Sequence, residues 1–520
     1  MDVYLAWNRV KKDLKNRNFI SPISIPEILQ IDIDKWLADL KQKFESRNYQ
    51  PHPMEIVEIP KGKGLIRPGS LLTIDDNIFY SSLVQECYLN VLTQIQWAQN
   101  SVDFAYIPTK ENVKSADWYK EQLIGWNGFR NKSIENIKTG YQYIIVTDVT
   151  GFYENIDISI LISDLKICGI DANVVNQLSK CLNRWSQINN RGIPQGNSAS
   201  DLLAKLYLDT IDKGMKNAGF THLRYVDDIR IFCKNKSEAK KALIELIQLL
   251  RRRGLNLQSS KTEILSANDA LTEIEGIQPV IRMIAEKLKN GIPQFLELSS
   301  YEETKESTDD DEASIEIVVE TFKTYFIEGT DEKFDKTLFH FLINRLKKEK
   351  NSLAIDYCLS IIDKHPEETS NILKYLQSFN ELDNKDFGFS LIQSHLIKFL
   401  SSDEAVYDFQ NYQILNWFLQ NATEASEKLI SLCRQFAFNN NKPYYLRSIA
   451  RTLLCNFGNL ADIDKIGDLV NTTTSDFEKA ELLCCLKRME KGKRNALLGR
   501  VENDGQITKM AVNYIKQLQK

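Results

Sequence analysis

The chain has 520 residues, 43% of them hydrophobic and 26% charged, with a formal net charge of −4. That is the make-up of an ordinary soluble globular protein of two to four domains. Residues 1–300 carry 38 Lys+Arg against 35 Asp+Glu and residues 301–520 carry 28 against 35, so charge permits a nucleic-acid partner without arguing for one.

The first twenty residues lack the apolar stretch and cleavage site of a signal peptide, and no apolar run approaches the length of a membrane span. The expectation is a cytoplasmic protein with no membrane partner. Nine cysteines and five histidines are scattered without metal-ligand spacing, which reads as reduced, buried thiols and argues against a structural zinc.

In chain order, the first segment with chemical content is IPKGKGLIRPGSLLTIDDNIFYSSLV, where Lys61, Lys63 and Arg67 sit in a short hairpin-like stretch. A guanidinium there can make bidentate bonds to phosphate oxygens; by itself the segment reads equally as a basic surface hairpin. Next, YQYIIVTDVTGFYENIDI predicts an apolar strand from Tyr143 to Val146 that leads into Asp148, with Phe152 and Tyr153 just beyond. Phe152 is expected in the core. In RGIPQGNSASDLLAKLYLDTID a turn at Pro194–Gly196 precedes an amphipathic helix capped by Asn197 or Ser198. Gly196 would let the backbone approach a base or sugar, and Gln195 can donate and accept hydrogen bonds there.

LRYVDDIRIFC then places Asp227 and Asp228 between short apolar runs, the pattern of a β-hairpin turn, with a strand over Ile229–Phe232 and a helix over Glu238–Leu250 to follow. An isolated acidic pair usually does no more than polarise a turn. Together with Asp148, however, the pair makes a set of hard oxygen ligands on adjoining strand ends. That is what in-line nucleotidyl transfer with two divalent cations needs. GLNLQSSKTEIL puts Lys261 after an apolar strand, where it either acts as a proton donor or forms an exposed salt bridge.

Residues 299–314, SSYEETKESTDDDEAS, read as an acidic linker or loop. They separate an α+β part, residues 1–298, from an all-helical part, residues 315–520. In the latter, apolar residues recur at three- and four-residue spacing. From Pro443 onward the helices suggest pairs, one ending at Gly458 and the next beginning after Asp462, as in HEAT-like repeats or a plain bundle. Duplex binding by this acidic half would require a basic stripe such as Lys442, Arg447 and Arg451.

The tetrapeptide YVDD is expected by chance about once in several hundred chains of this length. From about Pro60 to Glu263 the chain resembles the reverse transcriptases, with a fingers segment, an aspartate motif, a PQG motif, a YxDD hairpin and a following lysine in order. The resemblance implies a fingers-and-palm polymerase. Asp148, Asp227, Asp228 and the backbone carbonyl of Val149 would hold two Mg2+ ions, with Mn2+ as a substitute. Arg67 and Lys61 or Lys63 would grip the triphosphate, Gln195 and Gly196 would border template and nucleotide, and Lys261 would protonate pyrophosphate. Tyr153 would exclude ribonucleotides sterically, so that dNTPs are the substrates. Asn197-Ser198-Ala199 departs from the commonest versions of the PQG motif.

A single such domain followed by helical repeats resembles the abortive-infection and other antiphage-defence reverse transcriptases of bacteria. Some of these make DNA without a template or prime on a protein tyrosine. That resemblance implies single-stranded DNA or RNA, a non-coding RNA and further copies of the chain as partners. The competing readings are an RNA-templated enzyme of a retron or group II intron, and a catalytically silent nucleic-acid-binding scaffold.

Overall fold

The computed structural model describes residues 1–16, 20, 25–46, 48–186, 188–276, 280–281, 283–284, 314–329, 334–379 and 389–518. The boundary expected at residue 298 and all of the acidic run but Ser314 lie outside the described residues.

The first half is built around two helices buried almost all round, Ile74–Ile95 and Ser198–Asn217, which pack directly against each other. Each starts on a side-chain cap: Thr73 accepts from the Asp76 N–H at 3.2 Å, and Asn197 accepts from the Ala199 N–H at 2.9 Å. Such caps satisfy backbone donors that a buried helix end cannot give to water. Of the two caps considered from sequence, Asn197 is the one used. Helix Val3–Asn16 covers Ile74–Ile95 with Val3, Ala6, Trp7 and Val10.

Two sheets flank this core. The fingers hairpin pairs β1 (Glu55–Lys61) with β2 (Leu65–Leu71), antiparallel, around a tip at Gly62–Gly64. The palm sheet contains β3 (Tyr143–Asp148), β4 (Thr221–Tyr225), β5 (Asp228–Cys233) and β6 (Glu263–Ser266), in the order β4-β5-β3-β6 and antiparallel throughout. β3 is central and covered on both faces. Ile144 joins one core with Phe129, Leu223, Phe232 and Ala270, while Ile145 joins the other with Ile229 and Ile231. A strand buried on both faces is a continuous apolar run rather than an alternation, as in Tyr143–Val146.

Lys261 differs from its expected setting. No strand precedes it: Leu257 makes only an isolated bridge to Val149, and Lys261 ends a tight helical turn, Ser259–Lys261, just before β6. The apolar residues of GLNL are anchored singly, Leu255 in the core and Leu257 on the bridge.

Every element among the described residues of the second half is a helix. Lys336–Lys348, Thr369–Gln377, Asp408–Asn421, Tyr444–Phe457, Asp476–Cys485 and Gln506–Gln517 contact one another in succession. The helices between them, among them Glu427–Ala437 and Leu460–Thr472, pack on their outer side. Contact between every second helix is the connectivity of stacked helix pairs. After Gly458 the next helix starts at Leu460, earlier than expected, because Asn459 and Asp462 form a reciprocal capping box.

The inner row is seated on the first half. Asp408–Asn421 packs on β1, the Tyr444 N–H donates to Glu55 Oε1 at 3.2 Å, and Gln506 Nε2 donates to Asp39 Oδ2 at 2.7 Å. The basic stripe required for duplex binding does not form. Arg451 is 3% exposed and pairs with Glu478 at 2.9 Å, Lys442 pairs with Asp408 at 2.7 Å, and Arg447 donates to the Lys442 carbonyl at 3.1 Å. Lys442 and Arg451 tie their helix to its neighbours instead of facing phosphate, and Arg447 bonds to the loop that leads into its own helix. Among the described residues no helix is long and apolar enough to cross a membrane.

Candidate active site

The palm register sets the site. Asp148, the last residue of β3, lies directly opposite Asp228, the first residue of β5, and Asp228 in turn pairs with Tyr225 across the β4–β5 hairpin. Only Val226 and Asp227 remain for the turn. Val226 has φ +56°, a conformation that a β-branched residue adopts only under strain. The Asp227 carbonyl accepts from the Val149 N–H at 3.3 Å, tying the turn to the chain just past Asp148.

Burial pushes the Asp227 carboxyl up to about 7, and the neighbouring charges of Asp148 and Asp228 push the same way. Lys261 supplies the nearby positive charge. Its Nζ pairs with Asp148 Oδ2 and, although burial opposes it, the lysine is raised above its ordinary value by Asp148, Asp228 and Asp227. Among the described residues no three His, Cys, Asp or Glu side chains stand arranged as a finished metal cage. The donor set nevertheless suits hard divalent cations: three carboxylates lie close enough that burial, and then the charges of Asp148 and Asp228, raise Asp227.

The fingers hairpin brings the opposite charge. Lys61 and Arg67 share one face, since Arg67 pairs with Ile59, two residues before Lys61. Lys61 is lowered by burial, then by Arg67 and Lys261, while Asp148 and Asp227 act in the opposite sense; it therefore lies within the field of the aspartates. Lys63 does not share this position. It sits at the tip with φ +65°, next to Gly64, whose carbonyl accepts from Tyr407 Oη of the helical half at 3.5 Å. Of the two lysine candidates, Lys61 is the one placed beside Arg67.

The PQG loop is stitched to β2: the Gln195 N–H donates to Ser70 Oγ at 2.9 Å and the Ser70 N–H to the Gln195 carbonyl at 3.0 Å. Gly196 has φ +95°, and a Cβ there would meet nothing within 4 Å. The backbone thus needs glycine for its conformation and leaves an open approach. Tyr153 lies in the single turn Phe152–Asn155, its Oη donating to Asp201 Oδ1 at 2.7 Å. Phe152 is buried in the core, as expected.

Beneath the hairpin lies a buried ionic network. Arg224 Nη1 donates to the Val226 carbonyl at 3.0 Å, and Arg224 Nη2 contacts Asp212 at 2.7 Å and Asp103 at 2.9 Å. Lys205 reaches Asp103 at 2.5 Å, and His222 reaches Asp212 at 3.2 Å. Burial opposes ionisation of Asp212, yet Arg224 and His222 hold it down at about 2. The sequence reading missed this network. Its one local signal is Arg224 immediately before YVDD; Asp103 is remote in the chain.

A search of curated proteins returns no match. Among solved structures, telomerase from Candida albicans in complex with a fragment of telomeric RNA is similar at 11% identity and a TM-score of 0.32, over 79% of this chain and 70% of that one. The family model described as "Reverse transcriptase (RNA-dependent DNA polymerase)" matches residues 59–325. It runs from the end of β1 through the rest of the fingers hairpin, all four palm strands and the first helix of the second half, just over half of the chain, and this protein belongs to the reverse transcriptase family of RNA-directed DNA polymerases.

Proposed function

We propose that this protein is a magnesium-dependent DNA polymerase of bacterial antiphage defence, acting in the cytoplasm by two-metal nucleotidyl transfer. The observation that carries the chemistry is the register pairing of Asp148 with Asp228, which sets both beside Asp227 and within the field of Lys61 of the fingers hairpin. Asp148, Asp227, Asp228 and the Val149 carbonyl would hold the ions. When bound, Mg2+ or Mn2+ supplies activation of the attacking hydroxyl and charge stabilisation of the leaving group.

The chain's own groups divide the remaining work. Arg67 and Lys61 bind and align the triphosphate of a dNTP. Lys261, kept protonated by its aspartate neighbours, is placed to give a proton to departing pyrophosphate. Gly196 and Gln195 border the base and sugar, and Tyr153 lies beneath the sugar.

Support for the defence role comes from the architecture: a single polymerase domain is followed by a helical half in which every second helix is in contact, which we read as HEAT-like pairs. The associated nucleic acid in this reading is single-stranded DNA or RNA, including a non-coding RNA. The repeat surface suits contacts between copies of the chain. Synthesis without a template or from a protein primer belongs to the same reading. The test is dNTP incorporation by purified protein with and without Mg2+, sequencing of the copurifying nucleic acid, and phage challenge of cells expressing wild type or Asp227→Asn. Incorporation and protection lost together in Asp227→Asn support the proposal; protection that survives without incorporation rejects it.

A further inference from the structure

We propose that Asp201 is a specificity-determining residue, which sets the choice between deoxyribonucleotides and ribonucleotides by pinning the ring of Tyr153. The inference rests on the reading of Tyr153 as the residue beneath the sugar, and deepens it.

A steric filter discriminates only as far as its wall stays still. A 2′-hydroxyl adds a single oxygen to the sugar, so a ring that swings aside by about an ångström no longer excludes it. Tyr153 has little local stiffness of its own, because it sits in a one-turn helix of four residues that follows a left-handed Gly151 at φ +50°. An isolated turn does not hold its residues without outside contacts.

The structure supplies those contacts at both ends of the residue. At the backbone, the Tyr153 carbonyl accepts from the Ile193 N–H at 3.1 Å, which ties it to the strand of chain entering the PQG loop. At the far end, Oη donates to Asp201 Oδ1 at 2.7 Å. Phe152 packs edge-on against the ring at 5.3 Å between centroids. Asp201 is itself well fixed: it is 3% exposed and belongs to the first turn of helix Ser198–Asn217, whose start is capped by Asn197 and anchored by Ser198 on Asp13. Burial and the Asp201 charge keep the Tyr153 phenol protonated well above the usual range, so it remains a donor to the carboxylate. Fixing the residue at its root and its tip stops the ring from swinging aside, and a charge-assisted bond to a buried carboxylate is the stronger form of such a tie.

The alternative is that Asp201 merely supports its helix, where a carboxylate in the first turn is favourable in any case. A ratio separates the two roles. A loss of folding lowers incorporation of both nucleotides alike, whereas release of the ring raises ribonucleotide use relative to deoxyribonucleotide use.

The experiment measures kcat/KM of the full chain for a dNTP and its matching rNTP on the primer that wild type extends. The proteins are wild type, Tyr153→Ala, Tyr153→Phe, Asp201→Ala and Asp201→Asn. Tyr153→Ala is expected to abolish most of the discrimination. Tyr153→Phe and Asp201→Ala are each expected to lower the dNTP/rNTP ratio by about tenfold, the scale of one charge-assisted hydrogen bond. A variant that combines Tyr153→Phe with Asp201→Ala, measured alongside them, should fall no further than either single one, since both changes remove the same bond. Asp201→Asn keeps an acceptor oxygen and should restore most of the ratio. A wild-type ratio in Asp201→Ala, alongside a lowered one in Tyr153→Ala, overturns the role of Asp201 and leaves the gate intact. An unchanged ratio in Tyr153→Ala removes the gate, and the present inference with it. Should Asp201→Ala fail to fold, Tyr153→Phe removes the bond from the other side: a wild-type ratio there overturns the inference, and a tenfold fall supports it.

Discussion

Arg224 donates from Nη1 to the carbonyl oxygen of Val226 at 3.0 Å, while its Nε and Nη2 hold Asp212 at 3.1 and 2.7 Å. A buried ion pair thereby fixes the strained residue of the Val226–Asp227 turn, whose φ of +56° costs about 1–3 kcal/mol. Arg224→Met would leave Asp212 without its main counter-charge and is expected to cost about 3–5 kcal/mol. Arg224→Lys, which keeps charge but loses the fork, should fall between it and wild type. Denaturant unfolding, paired with dNTP incorporation at a temperature where both variants are folded, checks this. Unaltered incorporation in folded Arg224→Met would show that the turn keeps its shape without the arginine.

Asp227 predicts a pH dependence of the metal-free protein. Its pKa rises from an ordinary 3.8 to about 7 on folding, so between those values the folded state binds more protons than the unfolded one. The stabilising contribution is fully present below about pH 4 and is lost as pH rises through 7. Melts in chelator across that range should decline at this site, and Asp227→Asn should flatten the decline. Added Mg2+ should restore stability near neutral pH in wild type and not in Asp227→Asn. A variant that melts in parallel with wild type at every pH contradicts the assignment.

Lys261 should separate activity from stability. Its side chain is 54% exposed, so the ion pair with Asp148 contributes about 0–1 kcal/mol to folding. A general acid contributes about 10²–10⁴-fold to rate. Lys261→Met is therefore expected to melt within a few degrees of wild type while losing about two orders of magnitude or more in kcat. A loss confined to the KM for dNTP would make it a binding residue instead.

The helical half is expected to be needed for polymerisation because it backs the fingers. Asp408–Asn421 packs on β1, Tyr444 donates to Glu55, and Tyr407 reaches the hairpin tip at Gly64. A chain ended at residue 298 would expose that face of the hairpin and should lose most dNTP incorporation while retaining the palm. Circular dichroism, light scattering and incorporation assays test it. A folded truncation with full activity and the mass distribution of the intact chain would make this half dispensable for the chemistry.

What the sequence determined by itself was the family, through its motifs, and the order of the parts. Asp148, Asp227, Asp228, Arg67 and the PQG loop were legible because their signals are local: a strand-like apolar run into an acid, a turn between two such runs, a glycine where the backbone takes φ +95°. The helical character of residues 315–520 was legible for the same reason, since periodicity is a property of neighbours in the chain. The tertiary structure decided everything that depends on residues far apart. It placed Lys61 rather than Lys63 beside Arg67, because strand register and the hairpin tip assign their faces. It turned Lys442 and Arg451 from members of a phosphate stripe into ties between helices, because their partners Asp408 and Glu478 come from other helices, and it turned Arg447 onto the Lys442 carbonyl. It joined Arg224 to Asp103 and Tyr153 to Asp201 across 121 and 48 positions respectively. Pairing of that kind is set by packing of whole elements, and no local pattern of side chains encodes it.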